Sequence, residues 1–367
     1  MGVVTTDNGK IGIGDFRSNG EYIPYGAGDP TEDEQRIFRQ WGPLNMSFDV
    51  RDLAVYPDTS RSAEGMRAIW QRTPWGSNTQ LDGVLMVDPV FLQELTKISG
   101  NVTIPDGTVL TGDNTAEFLL NKVYVDYPVS MQDALFAQVA EQTVGSMFSN
   151  VDLTKLTKVA QLMGSMAEGR HFSMYAFDET AEKTISDAGF TAQTLSSEEN
   201  PQVGVYVTEQ NPSKMGWYIH RTSKVTRSTC GNDGSQYHVE YKMTNTLESS
   251  QIGALTSYIL GSGGQGVEKT LIYAPAGGSI SNLKTSGGSV TESRQETLNG
   301  KTVYASNATI APGESVTYSF DVTTSTKAVS DLTIDQTPMG WIDSGVTTDT
   351  AACSINKQKS RTVSHRL

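Results

Sequence analysis

The alternation of apolar and polar positions changes character about half-way along the chain. Met1-Gly-Val-Val-Thr-Thr alternates like a strand and runs into Asp7-Asn8-Gly9, a hairpin signal, so residues 1–16 read as a β-hairpin. Residues 17–30, with Asn19-Gly20, Pro24, Gly26, Gly28 and Pro30, read as a loop. Thr31 then caps a short helix whose first turn holds Glu32, Asp33 and Glu34, and Asp58 or Ser60 caps a longer one through Trp70. Leu81–Val87 is an apolar strand. Asp88-Pro89 opens a helix to about Ile98, Gly100 ends it, Asn101–Ile104 returns as a strand, and Pro105-Asp106-Gly107 turns. This βαβ-like unit predicts a sheet covered by helices.

Asp113 reads as the cap of a helix from Thr115, and residues 131–148 and 152–168 as two amphipathic helices. In the second, Leu153, Leu156, Val159, Ala160, Met163 and Met166 recur at three- and four-residue spacing, a stripe expected to be core. His171–Phe177 alternates as a strand, and Glu179–Ala188 forms a last helix ended by Gly189.

After Pro201 short strands and Gly-rich turns take over. Val203–Val207, Gly216–Arg221, Tyr237–Asn245, Glu268–Tyr273, Thr302–Ile310 and Ser315–Val322 are predicted strands. Asn232-Asp233-Gly234, the Gly261–Gly266 run and Ala311-Pro312-Gly313 are predicted turns. The expected architecture is an α/β domain over 1–200, with helices covering a mixed sheet, then an all-β immunoglobulin-like sandwich over 201–355. A basic flexible tail follows over 356–367, carrying Lys357, Lys359, Arg361 and Arg366.

Composition narrows the setting. Only 19% of residues are charged, and the net charge is −13. Residues 1–200 hold 28 Asp/Glu against 14 Lys/Arg, whereas 201–367 are nearly balanced, so the acidity lies wholly in the first half. Such a surface repels a phosphate backbone, which argues against a nucleic-acid partner. No run of about 18 apolar residues exists, so no membrane span is expected in this chain. The two cysteines, Cys230 and Cys353, both fall in the predicted sandwich; they read as a disulfide or as two buried thiols. A strand at residue 1 leads us to expect an upstream segment able to carry an anchor.

Chemistry is sparsely signalled. Four histidines with no close His/Cys spacing give no metal site, and no Gly-x-Ser-x-Gly elbow is present. Val267 follows the Gly261–Gly266 run where a phosphate loop would need lysine. His171, beside Arg170 at a strand entry, reads as structural. The densest polar cluster is Asn45-Met-Ser-Phe-Asp49-Val-Arg51-Asp52, followed by Tyr56, Asp58 and Arg61. Arg51, Asp52, Asp58 and Arg61 could together hold a phosphate or a divalent cation; equally they read as helix caps and surface ion pairs. Lys122 with Asp126 is a weaker version of the same pattern. Trp217-Tyr218 could present aromatic faces to a carbohydrate or belong to the core.

Three segments carry a resemblance: Leu81-Asp-Gly-Val-Leu-Met-Val-Asp88-Pro89, Ser99-Gly-Asn-Val-Thr-Ile-Pro-Asp-Gly107 and Leu110-Thr-Gly-Asp-Asn114. With Arg170-His171 and the 206–221 region, they resemble a cell-surface domain family of unknown function from high-GC Gram-positive bacteria. Its members usually begin with a membrane-spanning helix. The same stretch is distantly similar in layout to the LytR-CpsA-Psr domain, a phosphotransferase attaching polymers to peptidoglycan. That family grips a lipid pyrophosphate with arginines where this chain has Leu120-Asn121-Lys122 and Ser130-Met131-Gln132-Asp133. Without them the developing phosphate charge lacks its clamp. The leading expectation is therefore an extracytoplasmic cell-envelope protein of uncharacterised activity, anchored through an upstream segment: a binding or structural module, its sandwich serving adhesion or spacing, with cell-wall glycopolymer or another surface protein as the expected partner and no cofactor. The competing expectation is a glycopolymer phosphotransferase using Mg²⁺ with Arg51, Asp52, Asp58 and Arg61 in place of the missing arginines.

Overall fold

The structure is a computed structural model that describes residues 1–7, 10–14, 16–39, 46–147, 152–194, 197–231, 234–291 and 293–350. The Asn8-Gly9 turn, Asn45, Asn232-Asp233, Cys353 and the basic tail lie outside the described residues.

The first half is helical, and its strands pair only in twos. β1 (Val4–Asp7) and β2 (Lys10–Ile13) form the predicted hairpin. The Thr31 cap closes reciprocally: its Oγ1 accepts from the Glu34 amide (3.1 Å), and its own amide donates to Glu34 Oε2 (2.8 Å). The Thr59–Arg72, Pro89–Ser99, Val129–Met147, Leu153–Glu168 and Glu179–Asp187 helices follow their predicted patterns within a few residues. Asp88, Asp152 and Asp178 each cap a helix through a carboxylate that accepts from the third helical amide. Two cap expectations are corrected. Asp58 sits at the cap position of its helix but makes no side-chain cap bond, and Asn114, not Asp113, precedes the helix at Thr115.

The expected βαβ unit does not form. β3 (Gly83–Val87) pairs antiparallel with β6 (Phe172–Ala176), while β4 (Val102–Thr103) pairs with β5 (Val109–Leu110) across the Pro105–Gly107 turn. A mixed sheet is thus replaced by separate antiparallel pairs. A strand of two residues closes more cheaply on its chain neighbour through a tight turn than across a helix. Helices bury the β3–β6 pair from the side of Phe91, Leu95, Leu119, Val139, Val159 and Phe172, the core of this region. The Leu153–Glu168 stripe enters that core only from Val159 onward. Leu153, Leu156 and Ala160 are exposed, which corrects the expectation for those positions.

The second half is two facing sheets. One has the order β12 (Ser289–Val290), β14 (Lys301–Ile310), β10 (Gly266–Tyr273), β7 (Gln202–Glu209), β16 (Thr333–Gln336), with β13 (Arg294–Leu298) also on β14. The other runs β11 (Ser279–Ser286), β15 (Ser315–Thr323), β9 (Gln236–Asn245), β8 (Ile219–Thr229), β17 (Val346–Asp349). All pairings are antiparallel except β16 on β7 and β17 on β8. The Gly216–Tyr218 part of one predicted strand is instead a short 3₁₀ turn leading into β8. Val203, Val205, Val239, Tyr241, Ile272, Val316, Tyr318 and Phe320 fill the space between the sheets.

Residues 22–39 and 46–81 wrap the outer face of the first sheet. Tyr22, Ile37, Phe38, Phe48, Leu53, Ile69 and Trp70 share one apolar cluster with Tyr206, Leu271, Tyr273, Val303 and Ala305. This explains why all eight residues of β10 are buried although it carries Glu268 and Lys269. Both faces of that strand are covered.

Candidate functional site

The four residues nominated for phosphate chemistry each have a separate set of protein partners. Arg51 donates from Nε and Nη2 to the two oxygens of Asp49 at 2.9 and 2.6 Å. Asp52 accepts from the Ser47 amide and hydroxyl (both 2.7 Å) and the Phe48 amide (3.0 Å). These bonds hold Phe48 at φ 58°, a left-handed conformation costly for a bulky residue. Asp58 accepts from the Thr194 amide (2.6 Å) and from Lys301 Nζ (2.9 Å). Arg61 forks onto fully buried Glu34 at 2.7 and 2.9 Å and also pairs with Glu64. Burial acts to raise the Glu34 pKa, but bonds from Arg61, the Thr31 amide and Asn299 outweigh it and hold the carboxyl below its usual range.

The remaining candidates are also accounted for. Lys122 lies 4.0 Å from Glu117 on an exposed surface, and Asp126 is exposed beside Tyr127. Tyr218 is buried, its hydroxyl accepting from Asn121 at 3.0 Å. Trp217 packs edge-on against Trp341 with ring centroids 5.8 Å apart, so the pair offers no shared flat platform. His171 is buried, with Nδ1 2.6 Å from Asp88 Oδ2, consistent with its structural reading.

Arg170 is a connection the pattern did not single out. At φ 60° its guanidinium reaches Asp335 (2.5 Å from both Nε and Nη2), the Pro57 carbonyl (2.5 Å), the Gln193 carbonyl (3.2 Å) and the Tyr206 hydroxyl (3.0 Å). Tyr206 in turn donates to Asp335 at 2.6 Å. One side chain thereby joins the loop before the Thr59–Arg72 helix, the segment after β6 and two strands of the sandwich.

A groove of about 640 Å³ opens elsewhere, between the end of the Thr59–Arg72 helix, the following loop and the exit from β6. Arg67, Gln71, residues 76–82, Phe177 and Asp178 line it. The loop backbone is braced from within. Thr73 Oγ1 donates to the Trp70 carbonyl (2.8 Å) and accepts from the Gly76 amide (2.9 Å). The Ser77 amide donates to the Thr73 carbonyl (2.9 Å), and Trp70 Nε1 donates to the Thr79 carbonyl (3.2 Å). Gly76 has to be glycine, because a Cβ would meet the Trp70 carbonyl and lie 2.7 Å from the Trp70 ring. The Phe177 amide donates to the Asp82 carbonyl (2.9 Å), tying the far wall to the loop. Against this fixed frame the side chains of Gln71, Ser77, Asn78, Thr79 and Gln80 make no hydrogen bond among the described residues. The guanidinium carbon of Arg67 lies 4.0 Å from the Phe177 ring centroid.

The groove straddles a boundary that comparison with known proteins draws. Residues 1–124 match the family model "Protein of unknown function (DUF4012)". The match takes in Arg67 and the loop but neither Phe177 nor Asp178, so the DUF4012-matching segment supplies one wall and a later segment the other. It assigns no activity, and it covers none of the sandwich. No curated protein and no solved structure matches the chain.

Proposed function

We propose that this protein is an extracytoplasmic cell-envelope protein that binds rather than transforms its partner, with the immunoglobulin-like sandwich as its rigid support. The observation that carries the reading is a contrast in commitment. Arg51, Asp52, Asp58 and Arg61 are already engaged by protein groups, whereas the groove presents amides and hydroxyls with none. Breaking a bidentate pair such as Arg61–Glu34 to grip a phosphate would leave a buried carboxylate uncompensated, which costs about 3–5 kcal/mol. A braced loop with free polar side chains suits a hydroxyl-rich ligand such as cell-wall glycopolymer, because little ordering remains to be done on binding.

Thermal unfolding with soluble cell-wall glycan fragments tests this. A ligand at about 100 times its Kd stabilises by roughly 2.7 kcal/mol, which raises the midpoint measurably. A polyprenyl pyrophosphate with Mg²⁺ is expected to give no rise. A rise there together with polymer transfer would replace this reading with the phosphotransferase.

The location part of the proposal has its own check. Cys230 and Cys353 are expected to be paired, a cross-link that persists in an oxidising compartment and constrains a loop of over 100 residues by about 4–5 kcal/mol. Thiol titration of the denatured, unreduced protein should find no free thiol; two would remove this support.

A further inference from the structure

Resting on the binding reading, we propose that the groove beside the Thr59–Arg72 helix takes an acidic saccharide, a uronic-acid-type unit whose carboxylate is received by Arg67 on the Phe177 ring. Three arginines lie on or end that helix. Arg61 is tied to Glu34 and Glu64, and Arg72 to Asp29 and the Ala27 carbonyl. Arg67 alone of the three has no hydrogen bond or ion pair among the described residues, and it is the one that lines the groove. The guanidinium carbon lies over the Phe177 ring and its N–H donors are uncommitted, so they can receive a planar carboxylate through two parallel bonds.

The other lining groups say what surrounds that carboxylate. Asn78, Gln71 and Gln80 amides and the Ser77 and Thr79 hydroxyls can both donate and accept, as sugar hydroxyls require. Asp82 and Asp178 also line the groove, and the first half of the chain carries twice as many acidic as basic residues. A doubly charged phosphate would meet that field with one arginine to offset it, whereas a singly charged carboxylate paired with Arg67 meets about half of that repulsion. The aspartates can then accept from sugar hydroxyls. The volume, about 640 Å³, lies within the roughly 300–1,000 Å³ typical of small-ligand sites.

The test is titration calorimetry of the full chain with oligogalacturonate, its methyl ester, a neutral oligosaccharide of equal length and a sugar phosphate. Oligogalacturonate should bind at least tenfold more tightly than its ester. Arg67→Ala and Arg67→Lys should each lose tenfold or more for the acid and less than threefold for the neutral sugar. Asn78→Ala should weaken acid and ester alike. Equal affinity for acid and ester, an unaltered Arg67→Ala variant, or tighter binding of the sugar phosphate would each overturn the proposal and leave the broader glycan reading standing. No binding of any saccharide, cell-wall fragments included, would remove both.

Discussion

Replacing Arg170 by alanine should destabilise the protein by about 3–5 kcal/mol, read as a lower urea midpoint by circular dichroism. The side chain is 10% exposed and Asp335 is 15% exposed, so deletion strands a carboxylate with little water to compensate it. Tyr206 stays within 2.6 Å of that carboxylate but is neutral and cannot replace the charge. The carbonyls of Pro57 and Gln193 lose their donor in the same step. Arg170→Lys should recover only part of the loss, since one ammonium cannot face acceptors on four sides. A loss below about 1 kcal/mol for Arg170→Ala would show that the helical region and the sandwich are held together by apolar packing alone.

A second large effect should appear in the pH dependence of stability. Glu268 on β10 and Glu209 on β7 stand directly opposite each other in the ladder, on the face turned toward the second sheet. Burial raises the pKa of both carboxyls well above the usual range, and for Glu209 the neighbouring Glu268 charge adds to the rise. Arg221, on β8, opposes the rise at Glu268. Its guanidinium donates instead to the carbonyls of Thr337 (2.9 Å) and Pro338 (2.6 Å), so it forms no ion pair with either acid. Tyr241 and Tyr318 complete the surroundings, and burial keeps their hydroxyls protonated too.

The sign follows from linkage. The folded state binds these protons more tightly than the unfolded chain, so their contribution is fully present below about pH 4.5. It is lost as pH rises through the elevated folded values. Between pH 5 and pH 8 the wild type should lose on the order of 3 kcal/mol relative to Glu268→Gln, whose amide cannot ionise. His220, lowered by burial, and Lys269, lowered by burial to about 8, titrate in or near the same range. The difference between wild type and variant cancels them. Parallel pH profiles for the two proteins would refute the buried-acid account.

Much of the secondary structure is legible locally. Thr31 and Asp88-Pro89 announce helix starts because a short oxygen-bearing side chain next to the chain satisfies amides that the helix itself cannot. The period-two runs of β9 and β15 alternate in burial as they alternate in sequence. The edge strands β11 and β13 are harder to read, since Ser-Ile-Ser-Asn-Leu-Lys-Thr-Ser and Arg-Gln-Glu-Thr-Leu carry little apolar alternation. β11 is further broken by a register shift, with Asn282 at φ 53°.

Sequence alone therefore determined the Thr31 and Asp88 helix caps, the interior strands, the passage from a helical half to an all-strand half and the imbalance of charge, because each depends on neighbours within a few residues. Only the tertiary structure decided that β3 joins β6 instead of β4, that residues 22–39 and 46–81 cover the outer face of β10, and that Arg51, Asp52, Asp58 and Arg61 are spent on separate partners. It also decided that Arg67 meets Phe177, 110 positions later. Such outcomes hang on which surfaces are buried together, and a pairing across that much chain leaves no periodic trace in either partner.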